Sequence, residues 1–466
     1  MNSEELSGPH DTPQSLRGPL LAVAAAALLG CVFAAVSTSD FMQHLDRQVH
    51  AIHCSFIPGA GKEIGESGCK AVMMSPYSSF LRESVWGGVP VSLWALATFA
   101  FLFARAAGLA WKSSRPSNAE TKFLLVGTLL PVLMSVIYLF LSVSKVGQTC
   151  KVCVGIYVSS AAVFLAAALA HRGNESQPEA VPFSRYLGWF AQGVAFVAVL
   201  TGAYLMFAPG ADKKKALSGC GALVSAEDPA GVMVTLHEGG EPAIEVLDPL
   251  CPSCKAFDTR LAASSFREKL SLKAVLFPLD PACNWMVTEA LHPGACAMSE
   301  ALLCAAGLDG SNGSKNDAFA REVLRWAFKQ QDALRELAAK DEGAMRARIE
   351  SQFPKVKGCL GSSQVKSKLT KSLRWAVANA IPVLTPQLFV GNARMCDEDT
   401  DLGLEYTLAK MLSPAGKTAR AAVKAPPPPK PTVVPVAPPP VPAAKPKPVV
   451  PVEEEAEAEA PEEKPE

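Results

Sequence analysis

The chain has 466 residues, enough for two or three domains. Its 44 basic and 44 acidic side chains balance, so charge gives no reason to expect nucleic acid or an acidic partner. Hydrophobic residues make up 49% of the chain, a rich share for a soluble protein, and 13 cysteines leave at least one unpaired. No Cys and His spacing matches a zinc finger, and we predict no metal site.

Five uncharged apolar runs lie in the first part of the chain. They are Gly18–Ser39, Ser84–Ala104, Phe123–Ser144, Val152–Ala170 and Tyr186–Ala211. A spanning helix needs about 20 apolar residues, so each run predicts a membrane span, and buried helices of a soluble protein are the weaker interpretation. Phe33-Ala34-Ala35 is a weak signal-cleavage site after a run that is long for a signal peptide, so we expect the first helix to stay uncleaved.

Basic residues give a mixed indication of orientation. Two connections between spans carry an excess of them: Arg105, Lys112, Arg115, Lys122, Arg172 and Arg185. This excess favours the cytoplasmic side for those connections, whereas Lys213–Lys215 argue the other way. Disulfides persist outside the reducing cytoplasm, so we place the cysteine-bearing segments on the side of the membrane opposite the cytoplasm.

Composition divides the chain into five parts. We predict a polar N-terminal segment at 1–17, a transmembrane domain at 18–211, a linker at 212–240, a soluble α/β domain at 241–412 and a Pro-rich acidic tail at 413–466. In the soluble domain we expect strands and helices in this order: strand Ala243–Leu247, a helix from Cys254, strand Leu272–Phe277, a helical insertion over Glu289–Ala380 and strand Leu384–Val390.

The tail is predicted to be a solvated, disordered spacer. Proline runs alternate with Ala, Val and Lys, and eight Glu lie between Glu453 and Glu466. A spacer that reaches a partner in the cell envelope is the less favoured alternative.

The first Cys-x-x-Cys motif, Cys150-Lys151-Val152-Cys153, opens an apolar run. At a helix start both sulfurs fall on the first turn, where unpaired N–H groups and the helix dipole favour a thiolate. Tyr157 follows Cys153 by four residues and shares its helix face. A thiolate beside a phenol in an apolar bundle suits the reduction of a flat carbonyl compound such as a quinone. Two packing cysteines are the alternative, the one we favour for the solitary Cys31.

The second motif, Cys251-Pro252-Ser253-Cys254, follows a short strand and starts a helix. In this context a Cys-x-x-Cys is typical of thioredoxin-like domains. We expect Cys251 to be exposed at the helix N-terminus, with a lowered pKa, and to be the attacking thiol. Cys254, one turn in, would resolve the mixed disulfide.

Three further segments resemble the vitamin K epoxide reductase family. They are Cys69-Lys70-Ala71-Val72-Met73-Met74-Ser75-Pro76-Tyr77-Ser78, then Gly88-Val89-Pro90, then a Tyr four residues past Cys153. The resemblance, over about residues 18–412, implies a four-helix bundle that reduces a quinone and a fifth helix linking it to a thioredoxin-like domain. It implies a multi-domain membrane protein with five transmembrane helices followed by an α/β thioredoxin fold with a helical insertion. Because this fusion is known in bacterial members of the family, the resemblance also implies a bacterial inner membrane, with the redox sites and the thioredoxin-like domain on the periplasmic side.

The same resemblance assigns roles to residues. Cys150 and Cys153 would be the membrane redox pair with Cys153 facing the quinone, and Cys54 and Cys69 would be the shuttle pair. Ser75 would match the family's loop Ser or Thr that hydrogen-bonds quinone, and Tyr157 a pocket aromatic. The wide spacing between Cys54 and Cys69 departs from the family. His53 either assists thiolate formation at Cys54 or is a solvated loop residue, which we favour.

The soluble domain resembles bacterial DsbA-type oxidoreductases, including the long insertion. Thr385-Pro386 resembles the cis-Pro loop that faces the motif and aligns the incoming chain in that fold. Six other cysteines receive no catalytic role, and their pairing cannot be read from the sequence: Cys220, Cys283, Cys296, Cys304, Cys359 and Cys396.

These patterns predict a disulfide-forming oxidoreductase. Its expected partners are exported client proteins with free thiols, the membrane lipid and a quinone, either ubiquinone or menaquinone, as electron acceptor; no nucleic acid is expected. One alternative is a quinone or quinone-epoxide reductase in which quinone reduction is the main role. A less favoured one is a metal chaperone that binds copper or zinc through paired thiolates.

Overall fold

The structure is a computed structural model that describes residues 16–46, 51–57, 60–63, 67–112, 115–174, 181–307 and 316–423. The predicted polar segment at 1–17, apart from its last two residues, and the Pro-rich tail beyond 423 lie outside the described residues.

The N-terminal part is helical with short hairpins in its loops. Its elements are α1 (Arg17–His44), β1 (Ile52–His53), β2 (Lys62–Glu63), α2 (Gly68–Met73), β3 (Ser79–Phe80), β4 (Val89–Pro90), α3 (Val91–Trp111), α4 (Asn118–Leu141), α5 (Lys151–Arg172) and α6 (Phe183–Phe207).

Five helices among the described residues, α1, α3, α4, α5 and α6, are long and apolar enough to cross a membrane. The chain is therefore a multi-pass membrane protein, as the apolar runs predict. The predicted start of the second span at Ser84 is wrong, because α3 begins at Val91. Gly87 and Gly88 adopt positive φ values of 69° and 80° before Pro90, so the chain turns there instead of continuing a helix.

Glycines allow α1 to pack closely against both α3 and α5. A Cβ atom on Gly30 would lie 2.6 Å from the Phe99 ring of α3, and one on Gly155 of α5 would lie 2.6 Å from the Phe33 ring of α1. Small residues at such crossings let aromatic rings fill the space between helices in an apolar solvent. Helix α6 packs against α3.

The C-terminal part is a mixed sheet with helices. Its elements are α7 (Lys213–Ser218), β5 (Val234–His237), β6 (Glu241–Leu247), α8 (Pro252–Ala263), β7 (Leu270–Leu276), α9 (Ala295–Gly307), α10 (Asp317–Lys329), α11 (Gln331–Lys340), α12 (Glu342–Gln352), α13 (Ser363–Ala378), β8 (Gln387–Val390), β9 (Ala393–Arg394), α14 (Leu404–Met411) and α15 (Pro414–Ala421).

The five strands follow the order β5-β7-β6-β8-β9. Strands β6 and β7 are parallel and joined through α8, whereas β5, β8 and β9 each pair antiparallel with a neighbour. Helices α9 to α13 lie between β7 and β8, in the region predicted as a helical insertion. β6 and β7 are buried along most of their length and form the core with α8 and α9.

Three elements extend the sheet domain beyond the predicted boundaries. Helix α7 and strand β5 lie in the segment predicted as a linker at 212–240, and α15 lies in the segment predicted as tail at 413–466. The alternating burial of β5 covers only four residues, too few for a pattern to stand out beside the neighbouring polar residues.

The loop between β3 and β4 contacts the C-terminal part. The Trp86 and Tyr406 rings meet edge to face at 5.8 Å between centroids, and Trp86 covers Gly403 so closely that a Cβ atom has no room there. Arg82 of the same loop forms an ion pair with Glu405 at 3.0 Å. The membrane helices and the sheet domain are therefore packed against one another through specific side chains.

Candidate functional site

The first dithiol lies at the start of α5. Cys150 is the N-cap residue with an extended backbone, and its sulfur accepts a hydrogen bond from the Cys153 N–H at 3.2 Å. A hydrogen bond from the Cys153 thiol stabilises the Cys150 thiolate, and burial of Cys150 opposes it. With the neighbouring backbone N–H groups also donating, the net effect is a lowered pKa of Cys150. The sequence-based prediction of a thiolate-favouring helix start is consistent with this arrangement.

The loop above it holds a disulfide between Cys54 and Cys69, with an S–S distance of 2.06 Å. Cys54 follows strand β1 and donates its N–H to the Gly61 carbonyl, while Cys69 is in the first turn of α2, which Ser67 caps. Gly68 touches the Thr149 carbonyl, where a side chain would not fit. This close approach brings the disulfide into the same buried apolar cluster as Cys150.

A cavity of about 270 Å³ opens among the membrane helices beside these cysteines. Its lining is mostly apolar and includes five residues predicted as site residues: Ser75, Cys69, Cys150, Cys153 and Tyr157. Its walls come from α1, α3, α4 and α5 and from the loop. A mostly apolar cavity with a few convergent polar groups is the usual form of a site for a small organic molecule.

Ser75 has a hydrogen-bond partner within the protein. Its hydroxyl donates to the Val72 carbonyl at 2.7 Å. A quinone oxygen is an acceptor, so a hydrogen bond from Ser75 to quinone would require the hydroxyl to leave Val72. The phenols of Tyr138 and Tyr157 also line the cavity and are O–H donors on its walls.

A buried acid and a histidine lie at the same cavity. Asp40 of α1 is 3% exposed, and its carboxylate accepts hydrogen bonds from the His53 backbone N–H at 2.9 Å and from its Nδ1 at 2.7 Å. Both residues line the cavity. The favoured interpretation of His53 as a solvated loop residue is wrong, because its side chain is only 16% exposed and faces a carboxylate.

The second dithiol lies at the start of α8, in the core of the sheet domain. Cys251 is the N-cap residue, and its sulfur lies 3.5 Å from the Thr385 carbonyl of the cis Thr385–Pro386 bond. A hydrogen bond from the Cys254 thiol outweighs the effect of burial and, with help from Thr385, lowers the pKa of Cys251 to about 6. Burial raises the pKa of Cys254 well above its ordinary value. The two thiols therefore differ as an attacking and a resolving cysteine would.

Asp248 and His292 form an ion pair next to Cys251. The buried Asp248 carboxylate accepts hydrogen bonds from Leu250 N–H and Leu279 N–H, each at 2.8 Å, and from His292 Nδ1 at 2.7 Å. Burial alone would lower the pKa of His292, but the bond to Asp248 reverses this and raises it. The His292 charge in turn favours the Cys251 thiolate.

The prediction that Cys251 is exposed is wrong. Cys251 is 4% exposed and Cys254 is fully buried. Gln331 at the start of α11, itself 1% exposed, donates to the carbonyls of Pro249 at 3.3 Å and Cys251 at 2.9 Å. The helical insertion thus covers the motif, which the order of elements along the chain does not reveal.

Three further disulfides join the cysteines that received no catalytic role: Cys220–Cys396, Cys283–Cys296 and Cys304–Cys359. Thiols remain at Cys31, Cys150, Cys153, Cys251 and Cys254. Within the described ranges, no group of three or more His, Cys, Asp or Glu is arranged to hold a metal ion.

The predicted residues therefore fall into two separate places. Ser75, Tyr157 and the cysteines at 69, 150 and 153 share one cavity. Cys251, Cys254 and the Thr385–Pro386 loop meet in the sheet domain and do not line it.

Sequence reasoning missed four functional candidates: Asp40, Asp248, His292 and Gln331. An acid at the end of an apolar run was a usable signal for Asp40, because ionisable groups in membrane helices are costly and usually have a partner. The positions of His292 and Gln331 depend on how the insertion folds back on α8, and nothing in their local sequence signals it.

No curated protein and no solved structure matched the chain. A family model did match, and the matched segment holds the cavity and the cysteines at 54, 69, 150 and 153 but ends before the Cys251 motif. Residues 21–168 match the model of the Vitamin K epoxide reductase family, whose members are oxidoreductases.

Proposed function

We propose that this protein forms disulfide bonds in exported proteins and passes the electrons to a membrane quinone. The observation that carries the proposal is the shared cavity, where the Cys150–Cys153 thiols, Cys69 of the loop disulfide and the Tyr157 phenol line one apolar space. A thiol pair, a second cysteine pair in the same buried cluster and room for a flat molecule are the parts such a reaction needs.

Each transfer step is a thiol–disulfide exchange except the last. Two client thiols become a disulfide and reduce the Cys251–Cys254 disulfide to two thiols. The Cys251 thiolate then attacks the Cys54–Cys69 disulfide, and the resulting loop thiols reduce a Cys150–Cys153 disulfide. Finally the Cys150 and Cys153 thiols lose two electrons and two protons, and the quinone becomes a quinol.

Several features support a thioredoxin-like role for the sheet domain. The Cys251–Cys254 motif joins strand β6 to helix α8, and α8 returns to β7, parallel to β6. The Thr385–Pro386 loop faces Cys251 just before β8. The interactions that lower the pKa of Cys251 stabilise its thiolate. They therefore favour the reduced dithiol, as in an oxidising domain.

The proposal places the redox sites and the sheet domain on the periplasmic side of a bacterial inner membrane. Its support is the three disulfides outside the redox motifs, which would be reduced in a cytosol. The clients would be exported proteins that carry free thiols, and the quinone would be ubiquinone or menaquinone.

The test uses the full-length protein in lipid vesicles with a reduced, unfolded client and ubiquinone-1. We expect client thiols to disappear as quinol forms, two thiols per quinol. Substitution of Cys251, Cys69 or Cys153 by Ala should stop the coupled reaction, whereas Cys31→Ala, the matched control, should keep it.

The order of the electron-transfer steps can be tested by comparing two reductants, the client and a small dithiol reagent, in each variant. Cys251→Ala should still reduce quinone when a small dithiol reagent replaces the client, because the loop and membrane cysteines remain. Cys153→Ala should fail with either reductant. Unchanged quinol formation in Cys153→Ala would contradict the proposal.

The same cavity also supports a quinone or quinone-epoxide reductase in which the client is only a source of electrons. The two functions differ in cells that lack another disulfide-forming enzyme. Exported proteins should accumulate as thiols when Cys153 is replaced; if they stay fully oxidised, the reductase function is the better description.

A further inference from the structure

The Asp40–His53 pair takes no part in the thiol–disulfide exchanges proposed above, yet both residues line the cavity among the membrane helices. Asp40 lies in the last turns of a membrane helix, where an unpaired carboxylate is costly. Two hydrogen bonds from His53, one from the backbone and one from the ring, satisfy this carboxylate. A carboxylate hydrogen-bonded to one nitrogen of a histidine ring fixes the orientation and the tautomer of the ring.

The geometry leaves one ring nitrogen for the cavity. Nδ1 of His53 is used by Asp40 at 2.7 Å, so Nε2 is the atom available to a molecule in the cavity that both residues line. The thiols of Cys150 and Cys153 line the same cavity. Histidine is the side chain whose ordinary pKa suits proton transfer near neutral pH.

Quinone reduction by a dithiol needs a group that transfers protons. Two protons must leave sulfur and reach quinone oxygens, and a mostly apolar cavity offers few groups that both accept and donate a proton. The phenols on its walls are weak acids, and Ser75 already donates to Val72.

We propose that His53, held by Asp40, is the proton-transfer residue of the quinone site. Its Nε2 accepts the proton of one thiol of the Cys150–Cys153 pair and donates a proton to the nearer quinone oxygen. The other thiol supplies the second proton. Two S–H bonds break, one S–S bond forms, the quinone gains two electrons and two protons, and His53 ends unchanged. This inference rests on the proposed quinone reduction.

The test measures quinol formation from ubiquinone-1 by the full-length protein with a small dithiol reagent as reductant. His53→Ala should lower kcat about 100-fold with little change in KM, the usual size of a lost general acid–base residue. Added imidazole should restore part of kcat. Asp40→Asn, which keeps an acceptor for Nδ1 but removes the charge, should lower kcat about tenfold, as loss of an orienting partner does.

Two further variants control for folding and for a general effect of histidine loss. His53→Gln retains a side-chain donor toward Asp40 and should be as slow as His53→Ala, with the Cys54–Cys69 disulfide intact by mass spectrometry. His44→Ala removes the other histidine at this end of α1, which does not line the cavity, and should keep the kcat of the unmodified protein.

The outcomes separate the two proposals. If His53→Ala keeps its kcat within twofold, or if a slow His53→Ala is not rescued by imidazole, the proton-transfer role is overturned while quinone reduction that depends on Cys153 stands. If the unmodified protein reduces no quinone, the proposed function and this inference both fall.

Discussion

At Cys251 the acidity of one thiol is set by neighbours from three different segments. The Cys254 thiol comes from the next helical turn, Thr385 from the loop before β8, and His292 from the insertion, where it is held by Asp248. With a pKa of about 6, Cys251 is mostly thiolate at neutral pH and becomes protonated as the pH falls below 6. Its reactivity should therefore rise with pH through that region.

His292→Gln removes the positive charge that favours this thiolate. We expect the midpoint of the thiolate titration of Cys251, followed by absorbance at 240 nm, to move upward by about 1 pH unit. Less of the thiol is then ionised at pH 6, so alkylation by iodoacetamide slows there. His237→Gln, the matched control, removes a histidine that pairs with Glu268 and should leave the midpoint in place. A downward move would contradict the role of His292.

Helix α11 packs over the loop of the second dithiol. Its first residue, Gln331, bridges two carbonyls of the motif loop, and Cys251 beneath it is 4% exposed. In the proposed function, we expect exchange with a client to involve movement of the junction of α10 and α11 away from this loop. The two buried hydrogen bonds from Gln331 contribute to the free energy of that movement.

Gln331→Ala should make the opening easier. Two hydrogen bonds of about 1 kcal/mol each correspond to roughly 30-fold in the opening equilibrium, so Cys251 should be alkylated up to roughly 30-fold faster at one pH. Exposed Gln352→Ala in α12 is the control and should not alter the rate. Equal rates in both variants would show that Gln331 does not hold the cover closed.

At the scale of the whole molecule, one carboxylate joins the membrane and sheet domains. Glu405 of α14 is 3% exposed and lies 3.0 Å from Arg82 of the β3–β4 loop and 3.6 Å from the buried Arg260 of α8. Buried Asp401 also acts on Arg260 electrostatically, and burial raises the pKa of this carboxyl. Glu405 therefore neutralises one arginine from the membrane part, Arg82, and one from the sheet domain, Arg260.

Glu405→Ala should leave two guanidinium groups short of a partner at this contact. Loss of one partner of a buried ion pair typically lowers the free energy of unfolding by about 3–5 kcal/mol. Thermal unfolding of the full chain in detergent, followed by tryptophan fluorescence, should show a clear drop in the midpoint. Lys340→Met breaks an exposed pair with Glu336 and should leave the midpoint unchanged. A Glu405→Ala midpoint equal to the control would show that the pair contributes nothing.

Much of the architecture could be predicted because it depends on local pattern. The membrane helices follow from apolar runs, and both Cys-x-x-Cys motifs begin helices, as their flanking residues indicate. The bond between Cys54 and Cys69 follows only from the family resemblance. The partner of Cys220, by contrast, is 176 residues away, and neither composition nor period encodes such a contact. The same holds for the cover that Gln331 forms over Cys251.

The Cys220–Cys396 disulfide limits how the sheet domain can move. It fastens the chain just after α7 to the end of the sheet, and the Cys220 N–H also donates to the Arg394 carbonyl at 2.8 Å. Only residues 208–219, which include α7, connect the end of α6 to this disulfide, so the sheet domain is joined to the membrane helices by a short connection. Cys251 belongs to a different buried cluster from Cys54 and Cys69. For the exchange proposed above, we therefore expect the short loop that carries Cys54 and Cys69 to move, rather than the whole domain.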